Sequence, residues 1–478
     1  MAKVSIKKAL AIQFASKYLN VIVQLVLTAI LARMVTPEQY GLIATVTIFT
    51  ALFTLLSDLG IGPAIIQFKE LTDEDCSALF TFSGLLSVAL SALFYVSAYP
   101  IALFYGNDAL IPLCQLSSVS IFFNTLNMVP NGLLLRRKEF PSIGKRLIIS
   151  TIVSGLAAVV LAFLGFGAYS LVWQSNILAL FVFTWNIATS NIKIGNIHFI
   201  KPLKLVVFYA ANQAGFGIVN YFSRNMDKLA IGKTLGETSL GMYDKAYRLI
   251  GYPVQYLSGI IGSVLQPYYS ERQNDKDFLY QSWIKISKPL SLAGAFLGVF
   301  FFTCSYEVTV LFYGDQWAEA APILSVLSLS LYFQIVNNPL GAMFQSSNHT
   351  DYLFYCSLIN TALTLIALLI GSIFGQTVLI AVSVSISYCI HTVPLVYFFV
   401  RKTLHKGIAN YLLCYAPEVI SAVVAGIVCY AINPWISIHS GIGLIQKFII
   451  LAIIYLAGCL MLGQKKYFTP LFRKDNNA

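Results

Sequence analysis

Leu103-Phe104-Tyr105-Gly106 returns as Leu311-Phe312-Tyr313-Gly314. In each copy a proline follows within the next ten residues (Pro112, Pro322), then an apolar stretch, then Pro130-Asn131-Gly132 or Pro339-Leu340-Gly341. A second echo runs at an offset of 200: Gln13, Asn20, Gly41 and Gly62 recur as Gln213, Asn220, Gly241 and Gly262, and Arg33 recurs as Lys233. A unit of roughly 200 residues has been duplicated.

The medium in which this unit folds follows from composition. Of 478 residues 58% are hydrophobic and 11% charged, against about 25% charged in a soluble domain. The mean hydropathy is +0.75. Apolar runs of about 20 residues, the length that crosses a bilayer, fill the chain. The expected fold class is therefore an all-α polytopic membrane protein in the lipid bilayer. The first apolar stretch is too long for a cleavable signal, and Arg33-Met34-Val35-Thr36 is no small-residue cleavage site. Eight cysteines lie scattered, mostly inside apolar runs and without a Cys-x-x-Cys pair, so they read as buried membrane thiols. Five unclustered histidines offer no metal site, and no cofactor is expected.

Fourteen spans are expected, at 11–32, 41–63, 77–99, 109–130, 147–166, 168–190, 205–232, 241–265, 289–311, 320–345, 353–373, 376–400, 412–432 and 443–463. With the N terminus inside, 23 of the 31 Lys and Arg fall on the inner side and six on the outer. That split favours both termini in the cytoplasm. It also accounts for the net charge of +11 without a nucleic-acid partner. No loop exceeds about 30 residues, which leaves no room for a soluble catalytic domain. Six spans per repeat is an even number, so the two halves point the same way. The expected architecture is two six-helix bundles, 1–200 and 201–405, related by a pseudo-two-fold axis along the membrane normal. Residues 406–478 add two further spans and a tail.

Polar groups inside the membrane locate function. Gln13, Lys17, Asn20, Gln24 and Thr28 are spaced 4, 3, 4 and 4 apart, on one face of the first span. Gln213, Asn220, Arg224, Asp227 and Lys228 form a similar stripe in the seventh. Such stripes face protein or water, either as bonds between helices or as the wall of a cavity. Arg224, Lys228, Lys233, Lys245 and Arg248 gather at one outer junction, where Asp244 can pair with Arg248. They are local ion pairs or a cationic site for an anionic, phosphate-bearing substrate. Lys17, Asn20, Gln24, Arg224, Lys228 and Arg248 are the candidate substrate-binding residues. Asp58 and Asp227 are the candidate ion-coupling carboxylates, since a buried carboxylate with a raised pKa can load and release a proton. Glu307 and Glu418 lie near span ends and rank below them. Thr72-Asp73-Glu74-Asp75 reads as a capping box opening the third span, not as an acidic metal motif.

Several short stretches carry a resemblance: Leu31-Ala32-Arg33 with Tyr40-Gly41-Leu42; Leu56-Ser57-Asp58-Leu59-Gly60-Ile61 with Ile65-Ile66-Gln67; and Asn225-Met226-Asp227-Lys228 to Gly241-Met242-Tyr243 with Ala246-Tyr247. Pro267, Phe312-Tyr313-Gly314 with Trp317, and Asn338-Pro339-Leu340-Gly341 continue it. In order and spacing the chain resembles Wzx-type polysaccharide flippases of the multidrug/oligosaccharidyl-lipid/polysaccharide exporter superfamily, nearest to the colanic-acid and teichuronic-type branch. The resemblance implies a multi-pass protein of the bacterial cytoplasmic (inner) membrane that is not an enzyme. It would turn over undecaprenyl-diphosphate-linked oligosaccharide repeat units by alternating access and pass them to polysaccharide polymerase machinery. Proton or sodium coupling is implied by the superfamily alone.

Three rivals stand beside this reading. A MATE-like cation or drug antiporter would want carboxylates in the first bundle, where the first span has Lys17 instead. A peptidoglycan lipid-precursor flippase shares fold and carrier lipid. A membrane polysaccharide polymerase would be expected to carry a large outer loop.

Overall fold

The structure, a computed structural model, describes residues 6–58, 61–192, 198–258, 269, 272–273, 275–432, 441–465 and 467; the side chains of 6–14, 58, 205–217, 219, 220 and 223 lie outside that description. Nearly all of it is helical, with no strand among the described residues. Two compact units emerge, Met1–Gly241 and Met242–Ala478.

The first unit contains α1 (Ile6–Met34), α2 (Pro37–Asp58), α3 (Ile61–Gln67), α4 (Asp73–Tyr105), α5 (Leu110–Arg136), α6 (Phe140–Phe163) and α7 (Ala168–Ser190). It also holds most of α8 (Ile200–Pro253), which Gly236 interrupts with a φ of 83°. Helix starts follow local chemistry. Before α2, Thr36 Oγ1 accepts the Gln39 N–H and Gln39 Oε1 accepts the Thr36 N–H, each at 3.3 Å. Pro37 then takes the first helical position, where its missing N–H costs nothing. Before α4 the expected capping box is present: Thr72 Oγ1 accepts the Asp75 N–H at 3.1 Å, and Asp75 Oδ2 accepts the Thr72 N–H at 3.0 Å.

The Leu-Phe-Tyr-Gly echo marks helix ends. Gly106 closes α4 in the left-handed region at φ 73°, its N–H bonded to Ala102 O at 2.7 Å. Gly314 ends α10 (Ser305–Tyr313) at φ 97°, its N–H bonded to Val310 O at 2.8 Å. Only glycine takes such angles without strain, which explains why the fourth motif residue is the same in both copies.

In the first unit α4 and α7 pack on α5, and α1 packs on α6. The core joins Leu42 and Val46 to Phe94, Ala98, Ile121 and Val172. Small residues such as Ser83, Ser87, Ser154 and Gly155 line these seams, the usual way for membrane helices to approach closely. The second unit continues with α9 (Lys276–Thr303), α10, α11 (Ala320–Asn337), α12 (Leu340–Ser346), α13 (Thr350–Ile373), α14 (Thr377–Val396), α15 (Ile408–Ile432) and α16 (Gly441–Met461). Here α9 packs on α11 and α15, α14 on α11 and α13, and α16 on α15.

Eleven described helical stretches are long and apolar enough to cross a membrane. The spans expected at 109–130, 205–232 and 241–265 are not among them. They fall in α5, which carries Gln115, Asn124, Asn127 and Asn131, and in α8, which carries Arg224, Asp227, Lys228 and Lys245; the end of the last lies outside the described residues. Large apolar side chains such as Leu85, Val96, Leu369, Ile373, Ile445 and Ile453 point outward. So broad an apolar surface belongs against lipid. The chain is a multi-pass membrane protein. All eight cysteines are unbridged, six of them buried, as expected of membrane thiols.

Candidate functional site

In the first unit the stripe on α1 is graded. Asn20 is buried, and its Oδ1 has no hydrogen-bond partner among the described residues. Lys17 is half-buried and engaged, while Gln24 is exposed. On α8, Arg224 is exposed, Lys228 half-buried and Asp227 buried. Asp227 Oδ1 accepts the backbone N–H of Lys228 at 2.9 Å. Tyr221 of the same helix donates its hydroxyl to Ile48 O on α2. The side chains of Gln13, Gln213, Asn220 and the coupling candidate Asp58 lie outside the described residues.

The cationic cluster divides by its contacts. Lys233 sits 5.0 Å from the centre of the Phe104 ring and donates to Phe104 O. In the second unit Lys245 is buried, 5.1 Å from the Tyr313 ring and 5.6 Å from the Trp317 ring. Each Leu-Phe-Tyr-Gly copy therefore presents an aromatic ring to a lysine. Arg248 Nε meets Asp244 Oδ2 at 2.7 Å, the pairing expected from the spacing. Lys233, Lys245 and Arg248 thus all have protein partners; Arg224 is exposed and Lys228 half-buried and engaged.

The second unit holds two ion pairs that the sequence ranked low. Lys288 Nζ lies 2.6 Å from Glu418 Oε2, both side chains fully buried. Ser291 Oγ donates to Glu418 Oε1 at 2.7 Å, and Ser291 meets the Tyr332 hydroxyl at 3.1 Å. Lys288 also donates to Cys414 O. Lys447 on α16 pairs with Glu307 on α10, again buried. These pairs fasten α15 and α16 to α9 and α10. Beside the first is an apolar cavity of about 800 Å³, walled by Val299, Phe302, Phe333, Val419, Val423 and Ile427 and bounded by Tyr332 and Tyr415.

A family model described as "Polysaccharide biosynthesis protein" matches residues 30–322. The teichuronic acid biosynthesis protein TuaB of Bacillus subtilis (strain 168) is 24% identical over 339 residues, 70% of each chain. The lipopolysaccharide biosynthesis protein WzxC of Escherichia coli (strain K12) is 23% identical over 406 residues, 81% of this chain and 80% of its own. The succinoglycan biosynthesis transport protein ExoT of Rhizobium meliloti (strain 1021) is 23% identical over 349 residues, 73% of this chain and 71% of its own. Among solved structures, the lipid II flippase MurJ in an inward closed conformation superposes with a TM-score of 0.74 at 16% identity, covering 96% of this chain and 99% of that one. An inward-facing MATE-family transporter of the MOP superfamily gives 0.61 at 17% identity, covering 78% and 92%. Both share the fold. The chain belongs to the polysaccharide biosynthesis protein family and has the fold of the MOP-superfamily transporters.

Proposed function

We propose that this protein carries undecaprenyl-diphosphate-linked oligosaccharide repeat units from the inner to the outer leaflet of the bacterial cytoplasmic membrane. It does so by alternating access, with fourteen spans and both termini in the cytoplasm. The bundles at 1–200 and 201–405 and the two helices of 406–478 are its working parts. The observation that carries this reading is the sequence match to WzxC, ExoT and TuaB across 70–81% of the chain.

The chemistry of the substrate suits what the chain offers. An apolar cavity of about 800 Å³ fits part of a polyprenyl tail. Lys17, Asn20, Gln24, Arg224, Lys228 and Arg248 are the groups assigned to the charged and hydroxylated head. Asp58 and Asp227 are assigned to coupling with a cation gradient. The product would pass to a polysaccharide polymerase in the outer leaflet. The fold likeness to a lipid II flippase keeps a peptidoglycan precursor as the second reading; the sequence relatives favour the polysaccharide one.

Deleting the chain's gene tests the assignment. The expected result is loss of one surface polymer with accumulation of its lipid-linked repeat unit. Normal polymer together with accumulated lipid II would instead select the second reading.

A further inference from the structure

A cavity of about 350 Å³ lies within the first unit, where α5 meets α2 and α3, inside the range of about 300–1,000 Å³ typical of small-molecule sites. Its floor is the contact of Gly132 with Gly62, where a Cβ on Gly132 would stand 3.2 Å from Gly62 O. Both glycines stand out in the sequence, Gly132 in Pro130-Asn131-Gly132 and Gly62 in the echo at an offset of 200. Asn124, Asn127 and Asn131 line the same wall at helical spacing.

The orientation of two of these amides is fixed from behind. Arg146 Nη1 donates to Asn131 Oδ1 at 3.1 Å and to Asn186 Oδ1 at 2.6 Å. Asn186 Nδ2 then donates to Asn127 Oδ1 at 2.7 Å. A guanidinium has donors and no acceptor, so each carbonyl oxygen must turn towards it or towards the next amide in line. The NH2 groups of Asn127 and Asn131 are left as donors with no partner among the described residues. Asn124 makes no hydrogen bond among the described residues.

Among the described residues no charged side chain lines the cavity, and Pro63, Ile66, Met128 and Leu135 supply its apolar part. A diphosphate calls for Arg or Lys. Oriented neutral donors beside apolar side chains suit a pyranose ring, with its oxygen rim and C–H face. The duplication sharpens the point. Pro130 corresponds to Pro339, so Asn124, Asn127 and Asn131 correspond to Phe333, Val336 and Leu340. Phe333 lines the apolar cavity of the second unit. One position thus serves a polar cavity in one repeat and an apolar cavity in the other.

Building on the proposed transport of a lipid-linked oligosaccharide, we infer that Asn124, Asn127 and Asn131 form a sugar-binding site for its head, with Arg146 as the positioning residue that holds the donors outward.

The test measures binding to the purified full chain in nanodiscs with two probes: lipid-linked oligosaccharide extracted from cells lacking this protein, and undecaprenyl diphosphate. The proposal expects Asn124→Ala, Asn127→Val and Asn131→Leu each to weaken binding of the extracted lipid about 3- to 10-fold, the worth of one hydrogen bond. Undecaprenyl diphosphate should bind each variant as it binds the wild type. Asn124→Ala removes no bond within the fold, so it reports on the ligand even if the other two lose stability. Arg146→Met should reproduce the sugar-dependent loss. Unchanged binding of the extracted lipid by Asn124→Ala and Asn131→Leu overturns the site, as does an equal loss with both probes. Failure of the wild type to bind the extracted lipid at all would overturn the transport reading itself.

Discussion

Gly41 and Gly241, 200 positions apart, sit in reciprocal contacts. A Cβ on Gly41 would lie 1.8 Å from the carbonyl oxygen of Glu237, and one on Gly241 would lie 2.1 Å from that of Pro37. Since 37 and 237 are also 200 apart, the same pair of positions makes both contacts within the first unit. The glycines are there because backbone packs on backbone.

Alanine at either glycine should therefore be costly. Gly41→Ala and Gly241→Ala must push two segments apart, an overpacking cost of about 1–3 kcal/mol or more. Gly251→Ala, with nothing within 4 Å of the added Cβ, is the control and should be neutral. Thermal unfolding in detergent reads the difference; equal midpoints for all three variants would contradict the reciprocal packing.

The buried Lys288–Glu418 pair makes a second claim. Glu418→Gln leaves Lys288 charged and unpaired away from water, which should cost about 3–5 kcal/mol. Replacing both, as Lys288→Met with Glu418→Leu, should recover much of that loss because no charge is stranded. Chemical denaturation of the two variants compares them, and a double variant no more stable than Glu418→Gln would refute the pairing as the cause.

The clustered cations of α8 should separate by role. Arg224→Ala and Lys228→Ala are expected to reduce polymer export at least tenfold while the protein still inserts. Lys233→Ala loses an exposed contact with the Phe104 ring, worth about 0.5–1 kcal/mol, and should export nearly normally. Polymer yield at matched membrane protein level is the measurement. Wild-type yield from both Arg224→Ala and Lys228→Ala removes them from the substrate path.

Asp58→Asn and Asp227→Asn test coupling. If either carboxylate carries the driving cation, its amide should abolish gradient-dependent uptake of the lipid-linked substrate into vesicles and leave binding intact. Uptake that keeps its full dependence on the gradient in both variants excludes them.

Much of this was legible along the chain because its causes are local. The Thr72–Asp75 capping box, the Asp244–Arg248 pair four apart and the glycine ending each Leu-Phe-Tyr-Gly all act within one turn. What escaped depends on distant segments meeting. Glu418 looked like a span-end residue because Lys288 is 130 positions away, and Lys447 meets Glu307 across 140. Arg146 read as one more inner-side cation. Its role needs Asn127, Asn131 and Asn186 from two other helices, which no spacing reveals. α5 itself was legible as the span expected at 109–130; that both α4 and α7 pack on it was not.

The central claim is movement of a lipid-linked oligosaccharide across a bilayer. Purified protein in liposomes, loaded on one leaflet with the lipid extracted from deletion cells and probed with an impermeant sugar-oxidising reagent, tests it directly. The account predicts that the wild type exposes this lipid on the opposite leaflet within minutes, and that empty liposomes and Arg224→Ala do not. A wild-type protein that binds the lipid yet leaves it on its original leaflet would contradict the account.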